Sequence, residues 1–150
     1  MATDSSAIDA AIVAALQADA ALASLMPDGV YMDIAPPGLQ RYVIVSLVIA
    51  EDRATFEGRA IEDCLYLVKA VMLTTTSTTG LREAAARIDA LLDDRPLVAD
   101  GYGWMGGWRE ERVRYVEVDE TDSTIRWQHR GGRYRVQMTP TPTSTLMTKG

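Results

Sequence analysis

The sequence predicts an α+β domain, a mostly antiparallel sheet of about four to five strands packed with two main helices. Three observations carry this. Apolar residues recur at helical spacing over residues 6–18 and 80–92. Residues 42–50 and 61–75 are long apolar runs rich in β-branched and aromatic side chains. Residues 109–119 and 123–139 alternate like an antiparallel pair. A chain of 150 residues, 47% hydrophobic and 24% charged, is sized for one domain with a single core.

The first helix is expected over 6–18. Ser6 and Asp9 resemble a capping box with Asp in place of Glu, and Ile8, Ile12, Ala15 and Leu16 share a face. Asp19 would fall near that stripe, where a buried carboxylate is costly. It reads better as the N-cap of a second short helix, 20–25, with Leu22 and Leu25 inward. Pro27-Asp28-Gly29 ends it. Residues 30–34 read as a short strand closed by Ala35-Pro36-Pro37-Gly38, since two prolines remove two backbone donors. The 42–50 run implies burial on both faces, or one face in the core and one against a partner.

Residues 51–60 are polar and of mixed sign (Glu51, Asp52, Arg53, Glu57, Arg59), with Phe56 and Gly58 among them, and read as a long hairpin loop or arm. The strand 61–75 that follows is long enough to outrun a small domain at about 3.3 Å per residue. Thr79 is the expected N-cap of helix 80–92. Its stripe is Leu81, Ala84, Ala85, Ile88, Leu91 and Leu92, with Glu83–Arg87 as an i,i+4 pair. Beyond the exit at Asp93-Asp94-Arg95-Pro96, residues 100–108 read as a glycine–aromatic loop and 120–122 as the turn of the last hairpin. Gly131-Gly132 reads as a bulge, after which Tyr134, Val136 and Met138 resume alternation. The domain is expected to span 1–138. The Thr/Pro-rich tail, 139–150, is expected to be mobile until assembly, because Leu146 and Met147 alone cannot offset the entropy of ordering it.

Composition removes several function classes. A formal charge of −6 disfavours a generally basic nucleic-acid-binding domain. A lone Cys64 precludes an internal disulfide or a Cys-based zinc site, and a lone His129 precludes HExxH sites and two-histidine schemes. No apolar run approaches the ~20 residues of a membrane helix, and residues 1–6 lack the positive region of a secretory leader, so a soluble cytoplasmic product is expected. Charge is uneven. Residues 1–100 carry 15 acidic and 7 basic groups, residues 101–150 carry 6 and 8, a polarity suited to head-to-tail association or ring closure.

Candidate chemistry mostly yields to structural readings. Gly101-Tyr102-Gly103-Trp104-Met105-Gly106 has the letters of GxGxxG, but follows a helix and precedes a strand, the reverse of what a pyrophosphate site needs. Trp104, Met105 and Trp108 among those glycines leave two readings open, a contact that orders on assembly or tryptophans that plug the core. His129 reads as a packed strand residue and Cys64 as a core residue. The adjacent acids Asp93-Asp94 and Glu51-Asp52 read as solvated charge. Arg112, Arg114, Arg126, Arg130, Arg133 and Arg135 alternate with Glu110, Glu111, Glu117 and Asp119, which favours cross-strand ion pairs over a phosphate track.

A family resemblance rests on an ordered set of segments. They are Ala14-Ala15-Leu16-Gln17-Ala18-Asp19-Ala20-Ala21-Leu22, Val30-Tyr31, Pro36-Pro37, Tyr42-Val43-Ile44-Val45, the charged arm, and the helix 78–92 running into Asp93-Asp94. The set closes with His129-Arg130-Gly131-Gly132-Arg133-Tyr134-Arg135-Val136. Over residues 7–138 the chain resembles the tail-completion, or tail-terminator, proteins of long-tailed bacteriophages and related tail-like particles. The 101–108 segment and the tail are not part of that pattern. The resemblance implies a structural virion protein of the tail or neck, assembled in the host cytoplasm, and no enzyme or cofactor. It implies a hexameric ring that caps the tail tube, halts its polymerisation and meets a head–tail connector or stopper protein. No membrane and no sequence-specific nucleic acid is implied, although DNA passes through such a ring. The residues expected at subunit or tube interfaces are Glu51, Asp52, Arg53, Phe56, Glu57, Arg59, Trp104, Met105, Trp108, Leu146 and Met147. A head-completion or connector subunit, or a small ligand-binding domain using the 101–107 loop, are the alternatives.

Overall fold

The first apolar stripe forms helix α1 (Ser6–Gln17) in the computed structural model, which describes residues 6–54, 60–74 and 79–141. Ile8, Ala11, Ile12 and Leu16 are its buried face. Asp9 also reaches the sheet, accepting a hydrogen bond from the Tyr66 hydroxyl. Asp19 caps α2 (Ala20–Leu25), its carboxylate accepting the Leu22 amide at 2.9 Å. The same carboxylate receives Arg87 of α3 (Leu81–Leu92) through Nε at 2.9 Å and Nη2 at 2.6 Å. Arg87 therefore serves a tertiary partner and not the Glu83 one turn away, because a bidentate carboxylate holds a guanidinium better than an exposed helix neighbour. Asp19→Ala removes cap and staple together, and is expected to cost about 1–2 kcal/mol in urea unfolding. Asp19→Asn keeps a capping oxygen and should lose clearly less.

Five strands form one sheet in the order β1-β2-β3-β5-β4: β1 (Val30–Met32), β2 (Arg41–Ala54), β3 (Ala60–Leu73), β4 (Tyr102–Val118) and β5 (Arg126–Pro140). β1 is parallel to β2, and every other pairing is antiparallel. The helices pack on one face. Val43 and Val45 of β2, Cys64, Tyr66, Val68, Ala70 and Met72 of β3, and Tyr134, Val136 and Met138 of β5 meet Ile8, Ile12, Leu16, Leu22, Ala84 and Ile88 there. The end of α3 is fastened to the sheet by Asp89, which accepts from Arg109 Nη1 at 2.6 Å and the Tyr134 hydroxyl at 3.0 Å. Asp93 accepts the Arg109 amide at 2.8 Å. Cys64 lies in this core, and burial chiefly pushes its thiol up to about 12, so it stays protonated.

Four sequence expectations are corrected. The N-cap of α3 is Gly80, not Thr79. It sits at φ +96° with no side-chain cap bond, a left-handed step into the helix that glycine takes freely. Residues 51–54 are not loop but strand, paired with β3 out to Ala54 opposite Ala60. The 100–108 segment is likewise strand from Tyr102 onward. Gly107 gives clearance there: a Cβ on it would lie 2.6 Å from the Trp104 ring and 3.0 Å from the Arg135 carbonyl oxygen. Gly131-Gly132 is no bulge, since β5 keeps register with β3 through both residues. The irregularities on that side fall in β4, between Trp104 and Gly106 and between Arg109 and Glu111. β5 also continues through Thr139 and Pro140, and the Thr141 amide bonds to the Gly101 carbonyl at 2.9 Å. The rest of the expected tail lies outside the described residues.

Candidate assembly surface

No described helix covers the second face of the sheet. Strand alternation sends Ile49, Leu65, Arg135 and Trp108 to it as one cross-strand row, with Glu51, Asp63 and Gln137 in the next. Ile49 and Trp108 stay 43% and 41% exposed at the two ends of their row. Between them lies a charge network centred on one buried carboxylate. Asp63, 2% exposed, accepts from Arg135 Nη1 at 2.7 Å and Gln137 Nε2 at 3.3 Å, and forms an ion pair with Arg53, whose Nε is 2.9 Å away. Arg135 also reaches Glu110 through Nε and, at 3.3 Å, Nη2. Burial alone would raise the Asp63 carboxyl. The bonds from Arg135 and Gln137 and the charges of Arg135 and Arg53 outweigh it, and hold the group below the usual carboxylate range. Two arginines and two carboxylates cancel, so the surface between the apolar ends is polar but close to neutral.

Further along the same face, aromatic rings replace charges. Tyr42 meets Tyr31 and Trp127 edge-on at 6.5 and 6.4 Å, and Tyr115 stacks on His129 at 4.4 Å with the Lys69 ammonium 5.1 Å from its ring centre. His129 is buried, with Nε2 3.0 Å from Glu117 Oε1. Burial, then the Lys69 charge, holds the imidazole below its ordinary value against the pull of Glu117. Among the described residues no group of three His, Cys, Asp or Glu side chains could hold a metal ion, and no helix is long and apolar enough to cross a membrane.

These shifts set a pH dependence. Asp28, whose carboxylate accepts the Arg41 and Gln40 amides at 2.8 Å each, is held low chiefly by those bonds, and Asp19 chiefly by its bond from Arg87. For Asp19, Asp28 and Asp63 the stability lent is complete above the unfolded value of 3.8 and is lost as pH falls through the lower folded values. His129 is neutral in the fold, so its share is complete above 6.5 and is lost as pH falls through its depressed value. Both effects have the same sign. Urea midpoints at constant ionic strength should fall from pH 7 to 5, and more steeply below 4. A midpoint that rises on acidification contradicts these environments.

The residues singled out in the sequence are dispersed. Trp104 faces Met138 and packs against the core, whereas Met105, at an irregularity in β4, is 50% exposed and Trp108 stands on the helix-free face. The core-plug reading therefore fits Trp104, whereas Met105 and Trp108 are left exposed. Glu51, Asp52 and Arg53 are exposed at the far end of β2. Phe56, Glu57, Arg59, Leu146 and Met147 lie outside the described residues. Sequence reasoning missed Asp63 and Ile49, although an acid inside an apolar strand, as Asp63 is, is itself a signal of a buried partner.

Comparison with known proteins adds three findings. A family model described as tail completion protein gp17 matches residues 10–137. A chain from the virion of a native gene transfer agent particle is 25% identical, covering 89% of this chain and 96% of its own, with a TM-score of 0.60. A second solved chain, 17% identical over 93% of this chain and 100% of its own, has a TM-score of 0.51 and shares the fold. No curated protein sequence matches.

Proposed function

The chain belongs to the tail completion protein gp17 family, and from that premise we propose that it is the subunit of a homohexameric ring capping the phage tail tube. Membership makes it a structural component of the virion tail. The ring stops tube polymerisation and offers its other side to the head connector or stopper protein. Its role is contact, not catalysis. The observation that carries this reading is the helix-free face, where half-exposed Ile49 and Trp108 flank a charge network already satisfied within the subunit. A partner can cover such a surface without stranding a charge.

Trp108→Ala should change the unfolding free energy by less than about 1 kcal/mol, as its ring is half in water, yet leave tails over-long and unjoined to heads. Electron microscopy of tails made with this variant is the test. Normal tail lengths would remove Trp108 from the interface. In the wild-type neck a six-fold layer one subunit thick is expected, and a twelve-fold layer there would favour a connector subunit. The arm has a separate test. Replacing residues 55–59 by Asn-Gly, which suits a two-residue hairpin turn, keeps Arg53 on Asp63. The fold should survive and tail termination should fail.

A further inference from the structure

We propose that the arginine-lined cleft at the start of α3 receives the acidic end of the β2–β3 ribbon from a second copy of this chain, forming the contact that repeats around the ring. The inference rests on the ring reading and gives it an interface. The cleft, about 560 Å3, lies between the first turn of α3 and the β4–β5 hairpin, and Arg82, Arg114, Arg130 and Gln128 line it together with Leu81 and Val116. Five arginines elsewhere are neutralised within the fold: Arg53 and Arg135 on Asp63, Arg87 on Asp19, Arg109 on Asp89, Arg133 on Glu111; Arg95, Arg112 and Arg126 carry no ion pair among the described residues but stand apart from the cleft. Arg82, Arg114 and Arg130 have no ion pair or side-chain hydrogen bond among the described residues. Arg114 even stands directly across from Arg130 in the β4–β5 register. Like charges in that position destabilise a sheet, so the arrangement suits a site that takes up negative charge from outside.

The chain itself carries the matching group. Glu51 and Asp52 are exposed on β2 beyond the three residues that β1 covers, and so lie on an open strand edge. Asp52 is level with Glu62 and Met138, eight residues along β5 from Arg130, about 27 Å at strand rise. Acids and arginines thus occupy opposite ends of one sheet. No subunit can join its own two ends, and a heterologous contact between them closes into a ring when the rotation permits. The net charge of −6 makes double-stranded DNA the poorer occupant, since the rest of the surface repels phosphate.

Charge exchange tests this on the full chain. Arg114→Glu with Arg130→Glu reverses the cleft, and Glu51→Arg with Asp52→Arg reverses the ribbon. Each pair alone should weaken self-association in sedimentation equilibrium, or incorporation on tail tubes, by at least about tenfold. An equimolar mixture of the two, or all four substitutions in one chain, should restore association to within about threefold of wild type. Arg114→Gln with Arg130→Gln guards against misfolding: it should melt no lower than wild type, because a like-charge pair is gone, and still associate more weakly. Association indifferent to the reversals, or not rescued by their combination, overturns the proposal. So does a chain whose Gln variant loses binding to a short DNA duplex with self-association unchanged. Six-fold rings from every variant would overturn the pairing and leave the ring standing. Rescue into a two-fold or open-ended assembly would keep the pairing and remove the six-fold ring. A wild-type chain that never associates, alone or on tubes, overturns both.

Discussion

Gly131→Ala is expected to be the most damaging single methyl group in this protein, destabilising it by more than about 4 kcal/mol or preventing folding altogether. A Cβ at that position would lie 1.9 Å from the Val68 carbonyl oxygen, 2.8 Å from the Lys69 Cα and 2.9 Å from the Val68 carbonyl carbon. All three are backbone atoms of β3, so no rotamer change relieves the overlap. β5 would have to move away from β3, and β5 lies inside the sheet between β3 and β4. Domains of this kind are stable by about 5–15 kcal/mol, so one such displacement consumes a large part of the margin. Gly103→Ala is the control. Its nearest neighbour would be the Thr139 methyl at 3.6 Å, ordinary contact, and the expected change is within about 1 kcal/mol. Equal urea midpoints for the two variants would show that β3 and β5 are not this close at Gly131.

Arg135→Met should cost about 3–5 kcal/mol, because it leaves Asp63 buried with only Arg53 and Gln137. The Arg135 side chain is itself 19% exposed, so little solvent screening reduces the effect. Its signature is the pH dependence. With Arg135 present the Asp63 carboxyl is depressed, and the stability it lends is lost on acidification. Without Arg135 the opposing effect of burial grows in proportion, and less remains to lose. The gap between variant and wild type should therefore narrow as pH falls below about 4, through the depressed folded value of Asp63. Combining Asp63→Leu with Arg135→Met should cost less than Arg135→Met alone, since no buried charge is then stranded. A gap independent of pH would mean that Arg135 acts by packing alone.

How much of this was legible in the chain depends on the range of the forces involved. The Asp19 cap, both helical stripes, the β-rich runs and the final hairpin are local matters, in which spacing along the sequence reports the buried face directly. The resemblance to tail-completion proteins was legible for the same reason, because it rests on the order of such local segments. Thr79 and Gly80 misled because capping preference favours a hydroxyl, while the residue at the cap has a positive φ that suits glycine. The 102–108 segment misled more deeply. Glycines and tryptophans close together read as a loop by propensity, yet the segment pairs with β5, and Gly107 there clears room for the Trp104 ring and the Arg135 backbone.

The sequence by itself determined the class of fold, the identity of its elements, and a polarity of charge between the two parts of the chain. Only the tertiary structure decided which arginines are neutralised and which are left for a partner. Arg135 and Arg114 look alike in the strand pattern, but one lies beside the buried Asp63 and the other opposite Arg130. Alternation specifies the face on which a side chain lies. The strand order, which interposes β5 between β3 and β4, specifies what it meets there, and that order follows from the packing of the helices and the whole sheet together.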